Sequence, residues 1–239
     1  MPLPKISTSQ HELTLPSTGK TVKYRPFLVR EEKVLILALE SRDSKQITNA
    51  IKQVLKDCII TRGIKVEELP SFDIEYLFLN VRGKSVGESI DLIVTCGDDG
   101  KTTVPVTVDI DDIVVEKDPE HNPDIVLGDY TLRMKYPSLK QFVESNFGEN
   151  ADPTNIDGTF DIIASCIEMV FNEEEMWTAA ECTKKEVKEW IESLTSEQFN
   201  KIEKFFETMP KLTHTITVTN PNTGNENSVV LEGLTDFFG

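Results

Sequence analysis

Four cysteines and three histidines are the groups with which this sequence could most readily hold a metal or attack a carbonyl. A structural zinc site needs four thiolate or imidazole ligands at close spacing. Here Cys58, Cys96, Cys166 and Cys182 are separated by at least 15 residues each, and His11, His121 and His214 stand alone. Cys58 and Cys166 lie on apolar stretches of helical spacing and read as core residues. Cys96 and Cys182 are the thiols expected to reach solvent, but neither has a histidine nearby in sequence to generate the thiolate a nucleophile requires.

Oxygen ligands and phosphate loops fare no better. Asp109, Asp111 and Glu120 fit positions one, three and twelve of a calcium loop, yet Ile113 and Val114 stand where a ligand and the obligatory turn glycine belong. These acids read as the exposed face of an edge strand. Gly19-Lys20-Thr21 ends like a phosphate-binding loop, but Thr14 replaces the first glycine and a strand follows in place of a helix N-terminus. Leu15-Pro-Ser-Thr-Gly19 matches a sortase signal at the wrong end of the chain and reads as a turn. Asp98-Asp99 and Asp111-Asp112 are acidic pairs that composition alone produces, and Glu173-Glu-Glu175 reads as a solvated acidic stretch. No catalytic residue, cofactor site or metal site is expected.

Composition narrows the field further. The 239 residues carry 25 Lys+Arg against 41 Asp+Glu, a formal charge of −16, with 38% apolar and 28% charged residues. That describes a globular protein whose charge repels phosphate backbones and anionic lipid, so neither nucleic acid nor membrane is an expected partner. The charge is graded. Residues 1–60 hold 10 basic and 6 acidic groups, 61–136 hold 8 and 16, and 137–239 hold 7 and 19. No apolar run approaches the ~20 residues of a membrane span. The N-terminus lacks the pattern of a secretory signal, which gives an intracellular expectation with reduced cysteines.

The elements follow from periodicity. Residues 11–16 and 20–27 alternate around Ser17-Thr-Gly19 as a hairpin. Val34-Leu-Ile-Leu-Ala-Leu39 makes a first helix apolar on most sides, which must be covered by its own domain or by another chain, its own core being the expectation. Ile47, Ile51, Val54, Leu55 and Cys58 form a second helix behind a Ser44 cap. Phe72–Val81 reads as a third, ending at Gly83. Between 89 and 135 the period changes to that of strands, with a loose loop at 117–123. Helix starts with capping boxes are expected at Ser138/Gln141, Thr183/Glu186 and Thr195/Gln198, the last two opening a helical hairpin. Two strands at 214–219 and 227–231 follow.

The expected fold is α+β: an N-terminal β-hairpin and two helices, a central antiparallel β section, and a mostly helical C-terminal part ending in a small β-hairpin. The parts divide as 1–85, 86–136 and 137–239, without a clean two-domain split. Leu35, Leu39, Trp177, Leu234, Phe237 and Phe238 are the expected partner contacts, since a few large apolar and aromatic side chains usually dominate a protein interface.

Leu3-Pro-Lys-Ile and Leu13-Thr-Leu-Pro-Ser-Thr-Gly-Lys-Thr-Val-Lys-Tyr-Arg-Pro-Phe-Leu-Val-Arg-Glu-Glu-Lys-Val-Leu-Ile-Leu-Ala-Leu-Glu40 resemble the opening of the baseplate hub assembly proteins of T-even-like contractile-tailed bacteriophages. Leu194-Thr-Ser-Glu-Gln-Phe-Asn-Lys-Ile-Glu-Lys-Phe-Phe-Glu-Thr-Met-Pro-Lys-Leu212 and Leu231-Glu-Gly-Leu-Thr-Asp-Phe-Phe238 are similar to that family's C-terminal region. Residues 85–160 match only in the order of elements. The resemblance implies a non-catalytic role in building the tail baseplate hub and leaves open whether the protein stays in the finished particle; a chaperone-like assembly factor is the expectation. Its partners would be other phage baseplate hub and tail proteins, and its location the host bacterial cytoplasm or the virion tail. A permanent hub subunit is the alternative within this class, and a thiol hydrolase using Cys96 or Cys182 the alternative outside it.

Overall fold

The computed structural model describes residues 7–41, 43–138 and 156–238. The chain forms two compact units: residues 1–116 with 211–239, and residues 117–210.

The first unit opens with a hairpin of β1 (His11–Thr14) and β2 (Thr21–Tyr24), turning at Gly19 with φ +68°. Helices α1 (Val29–Ser41), α2 (Ser44–Cys58) and α3 (Ser71–Val86) follow. Asp43 caps α2, accepting from the Lys45 and Gln46 N–H groups, so the cap lies one residue before the expected Ser44. Helix α3 runs past Gly83 to Gly87. Gly83 does not stop it, because its role is clearance: a Cβ there would stand 2.8 Å from the Ile110 Cδ1. Strands β3 (Ser89–Thr95) and β4 (Thr103–Asp109) form a second hairpin, and a 3-10 turn at Ile110–Asp112 leads to β5 (Val114–Glu116). Asp111 and Asp112 therefore sit in that turn and not on an edge strand.

The second unit is a four-stranded antiparallel meander of β6 (Asp124–Leu127), β7 (Tyr130–Met134), β8 (Ile167–Phe171) and β9 (Met176–Thr178). Helix α4 (Ile156–Cys166) precedes β8, and α5 (Lys184–Glu192) and α6 (Ser196–Thr208) follow β9. Both later helices start in complete capping boxes, Thr183 with Glu186 and Thr195 with Gln198. The expected Ser138/Gln141 box lies outside the described residues. Ile163 and Cys166 from α4, Ile191 from α5, and Ile202 and Phe205 from α6 cover Ile125, Leu132 and Met134 of the sheet in one core. His121 stacks on Tyr136, lies tilted against Phe205 and shares a hydrogen bond between Nδ1 and the Thr208 hydroxyl at 2.9 Å.

The chain then returns to the first unit as β10 (Lys211–Thr219) and β11 (Glu226–Glu232), with β10 pairing β5 on its other side, and ends in the short helix α7 (Gly233–Phe238). The turns of the β3–β4 and β10–β11 hairpins are clasped together. Asp98 donates its N–H to Asn227 Oδ1 at 2.9 Å, while its carboxylate accepts from Asn220 Nδ2 at 2.7 Å and from the Thr223 hydroxyl.

The expectation of a mostly helical C-terminal part is corrected. Beyond residue 137, strands β8, β9, β10 and β11 interleave with the helices. The reason is local. Ile167-Glu-Met-Val-Phe follows α4 with no breaker between, and a short apolar run cannot be told from more helix by its period. The strands of the expected central section also serve three different sheets: β3 and β4 pair with each other, β5 joins β10, and β6 and β7 join β8.

Helix α3 is the spine of the first unit. Phe72, Ile74, Leu77, Leu79 and Val81 are all essentially inaccessible, and α2, β5, β10 and α7 pack around it. Polar groups share this helix's buried surface: Ser71, Asp73 and Glu75. Glu75 is buried, with Gly233 against its carboxylate and Glu232 nearby, and burial first, then that like charge, pushes its pKa up from 4.5 to about 8. The folded state therefore holds a proton that the unfolded chain releases. The cost is absent below pH 4.5, grows between pH 4.5 and 8, and is constant above. Glu75→Gln should leave stability unchanged at pH 4 and raise it by about 3 kcal/mol at pH 7. Urea unfolding of both proteins across this range checks the slope.

Candidate partner-binding surface

Helix α1 is held by a narrow stripe. Glu31, Leu35 and Ala38, spaced four and three residues apart, are buried, and its neighbour is α2. Six successive apolar residues, Val34 to Leu39, cannot all fit on one such stripe when each turn takes 3.6 residues. The surplus faces solvent: Val34, Ile36, Leu37 and Leu39 are all exposed, Leu37 at 55%, and Val29 at the start of the helix reaches 79%. The expectation that the protein's own core would cover this helix is thus met only along the Glu31–Leu35–Ala38 stripe.

The start of the helix is fixed by a buried charge. The Glu31 carboxylate accepts from the Leu28 N–H at 2.6 Å, from Arg30 Nε at 2.7 Å and from Arg25 Nη2 at 3.0 Å. Its reach back to the residue before the helix is the acidic half of a capping box. Burial works to raise the Glu31 pKa, but the hydrogen bonds from Arg30, Arg25 and Leu28 outweigh it and hold the carboxylate below its usual range. Arg25 also donates to the Pro26 carbonyl at 2.9 Å and approaches Cys58 Sγ, so one guanidinium ties the start of α1 to the end of α2.

The expected contact residues separate. Leu39 and Trp177 are exposed, whereas Leu35 is buried against the first unit and Phe237 is fully buried in it. The side chains of Leu234 and Phe238 lie outside what the structure describes. Val29, Ile36, Leu37 and Met176 are exposed apolar residues not singled out as contacts from the sequence. The signal was present in the unbroken apolar run, which has more apolar positions than a helix can bury on one side.

Cys58, Cys96 and Cys166 are buried and Cys182 is exposed. Burial raises the thiol pKa of Cys96, with Asp98 and Asp99 adding to it, and pushes those of Cys58 and Cys166 up to about 11. These are not activated nucleophiles. Among the described residues no group of three or more His, Cys, Asp or Glu could hold a metal ion, and no helix is long and apolar enough to cross a membrane.

A family model described as T4 bacteriophage base plate protein matches residues 8–239. The chain belongs to that family. The match joins the two ends whose resemblance is visible by inspection and includes residues 85–160 between them. Curated proteins and solved structures give no match. A T4-type base plate protein is a tail component that works in contact with other tail proteins, and an uncovered apolar helix is a surface suited to such contacts.

Removing the anchor should release the helix. Glu31→Ala leaves the partly buried Arg25 without its carboxylate partner and should cost about 3 kcal/mol in urea unfolding. Because the Glu31 pKa is lowered on folding, this loss should be full at neutral pH and disappear as pH falls from 4.5 through the depressed value.

Proposed function

We propose that this base plate protein is an assembly factor of the baseplate hub, acting as a chaperone-like binder of other hub and tail proteins with no bond made or broken. The observation that carries this reading is the apolar face of α1, solvated along its length while the helix start is anchored by Glu31. A side that hides no core of its own is suited to covering an adhesive surface of a partner. The formal charge of −16 keeps such a molecule soluble while that face is free. Ile36, Leu37 and Leu39 are the contacts on this helix, and Leu35 acts through its packing.

Leu37→Glu should leave the unfolding free energy within about 0.5 kcal/mol, because the side chain is solvated in the free protein. It should weaken capture of hub proteins from infected cells about tenfold or more, if the face is central to the interface. Mass spectrometry of purified tails then separates the two roles. An assembly factor is absent from finished tails, and a permanent subunit is present at fixed stoichiometry.

A further inference from the structure

The second unit carries an apolar surface of its own on the face of its sheet that the helices leave open. Paired residues of antiparallel strands share a face, and neighbours along a strand alternate. Ile125, Leu132, Val170 and Trp177 are in register across β6–β9, and this row lies on the side covered by α4, α5 and α6, with Trp177 at its outer edge beside Tyr130. The next row, Val126, Thr131, Phe171 and Met176, therefore points the other way. Val126 is 61% and Met176 63% exposed, and neither joins the core.

Acidic groups surround this row. The register brings the β6–β7 and β8–β9 turns to the same end of the sheet, which places exposed Asp129 with exposed Glu173, Glu174 and Glu175. At the β6 edge Lys201 Nζ donates to the Val126 carbonyl at 3.3 Å. Toward the other end, Arg133 is a cation of this face that is already satisfied. It donates to both oxygens of Asp124 at 2.6 and 2.8 Å, and Glu168 adds to the field that raises its pKa. Its guanidinium also lies 5.5 Å from the centre of the Phe171 ring. Residues 117–210 hold 9 basic and 20 acidic groups in all.

We infer that this face docks a lysine- and arginine-rich amphipathic segment of a partner protein, its apolar side on Val126, Phe171 and Met176 and its basic flanks against the acidic turns. Charge complementarity selects the occupant. A second copy of this unit would bring 20 acids against 20, and α1 of a second copy, with Glu32 and Glu40 beside Arg30 and Lys33, is not basic. Methionine and phenylalanine adapt to varied apolar partners, while the acidic turns set the sign of what may approach. The site is independent of the α1 face and needs no assumption about hub assembly.

Fluorescence anisotropy of the full chain with a labelled Leu/Lys amphipathic peptide tests this, with Leu/Glu and Ser/Lys peptides of the same length as controls. The Leu/Lys peptide should bind in preference to both. Val126→Glu with Met176→Glu should weaken it about tenfold, with the circular dichroism spectrum unchanged, while Leu37→Glu in α1 leaves it intact. Glu174→Lys with Glu175→Lys, which alters only the turn, should weaken it as well. Equal binding of the Ser/Lys peptide, or full binding by the Val126/Met176 variant, overturns the inference. So does a dimer in sedimentation equilibrium that Met176→Glu dissociates, since a second copy would then be the occupant.

Discussion

Glu31 is a carboxylate taken out of water and given three donors in exchange, from Leu28, Arg30 and Arg25. A buried charge of this kind tolerates little displacement, because each lost donor leaves part of the charge unsolvated. It therefore fixes where α1 begins and in which rotation it leaves the β2 strand. With that rotation set, only Leu35 and Ala38 continue the inward stripe, and the remaining apolar positions are turned outward. The exposure of α1 follows from an anchored helix whose sequence is apolar on more sides than its neighbour can cover.

The rest of the first unit makes such an outlying helix tolerable. Helix α3, enclosed by α2, β5, β10 and α7, supplies a core that does not depend on α1. Fully burying one side chain such as Phe237 contributes about 2–3 kcal/mol, and the C-terminal segment is spent on this core. The second unit encloses a separate core under one face of its sheet and leaves the other face to solvent. Each unit thus folds around one apolar cluster and retains another, and the charges differ in degree: the first unit holds 16 basic and 21 acidic groups, and residues 117–210 hold 9 and 20.

Much of the local structure was legible. The capping boxes at Thr183 and Thr195 mark helix starts because Thr, followed three residues later by Glu or Gln, satisfies two backbone donors whatever the surroundings. The 11–24 hairpin and the β10–β11 pair were legible from alternation and turn glycines. What escaped depended on partners distant in sequence. The pairing of β5 with β10 joins residues nearly a hundred positions apart, so the first unit closes only after the second is complete. Ile167–Phe171 is a strand because β7 and β9 flank it, not because of its own pattern. Gly83 lies within a helix because Ile110 needs the room. For the contact residues, the apolar excess of Val34–Leu39 was visible, but which members of it face outward was set by Glu31. The burial of Phe237 was set by α3.

We propose that α1 meets another tail protein through its outward side. A photoreactive amino acid placed at position 37 of the full chain and activated in phage-infected cells tests it most directly. An adduct with a second baseplate or tail protein is the expected result. An adduct confined to the chain itself, or none during assembly, would contradict it.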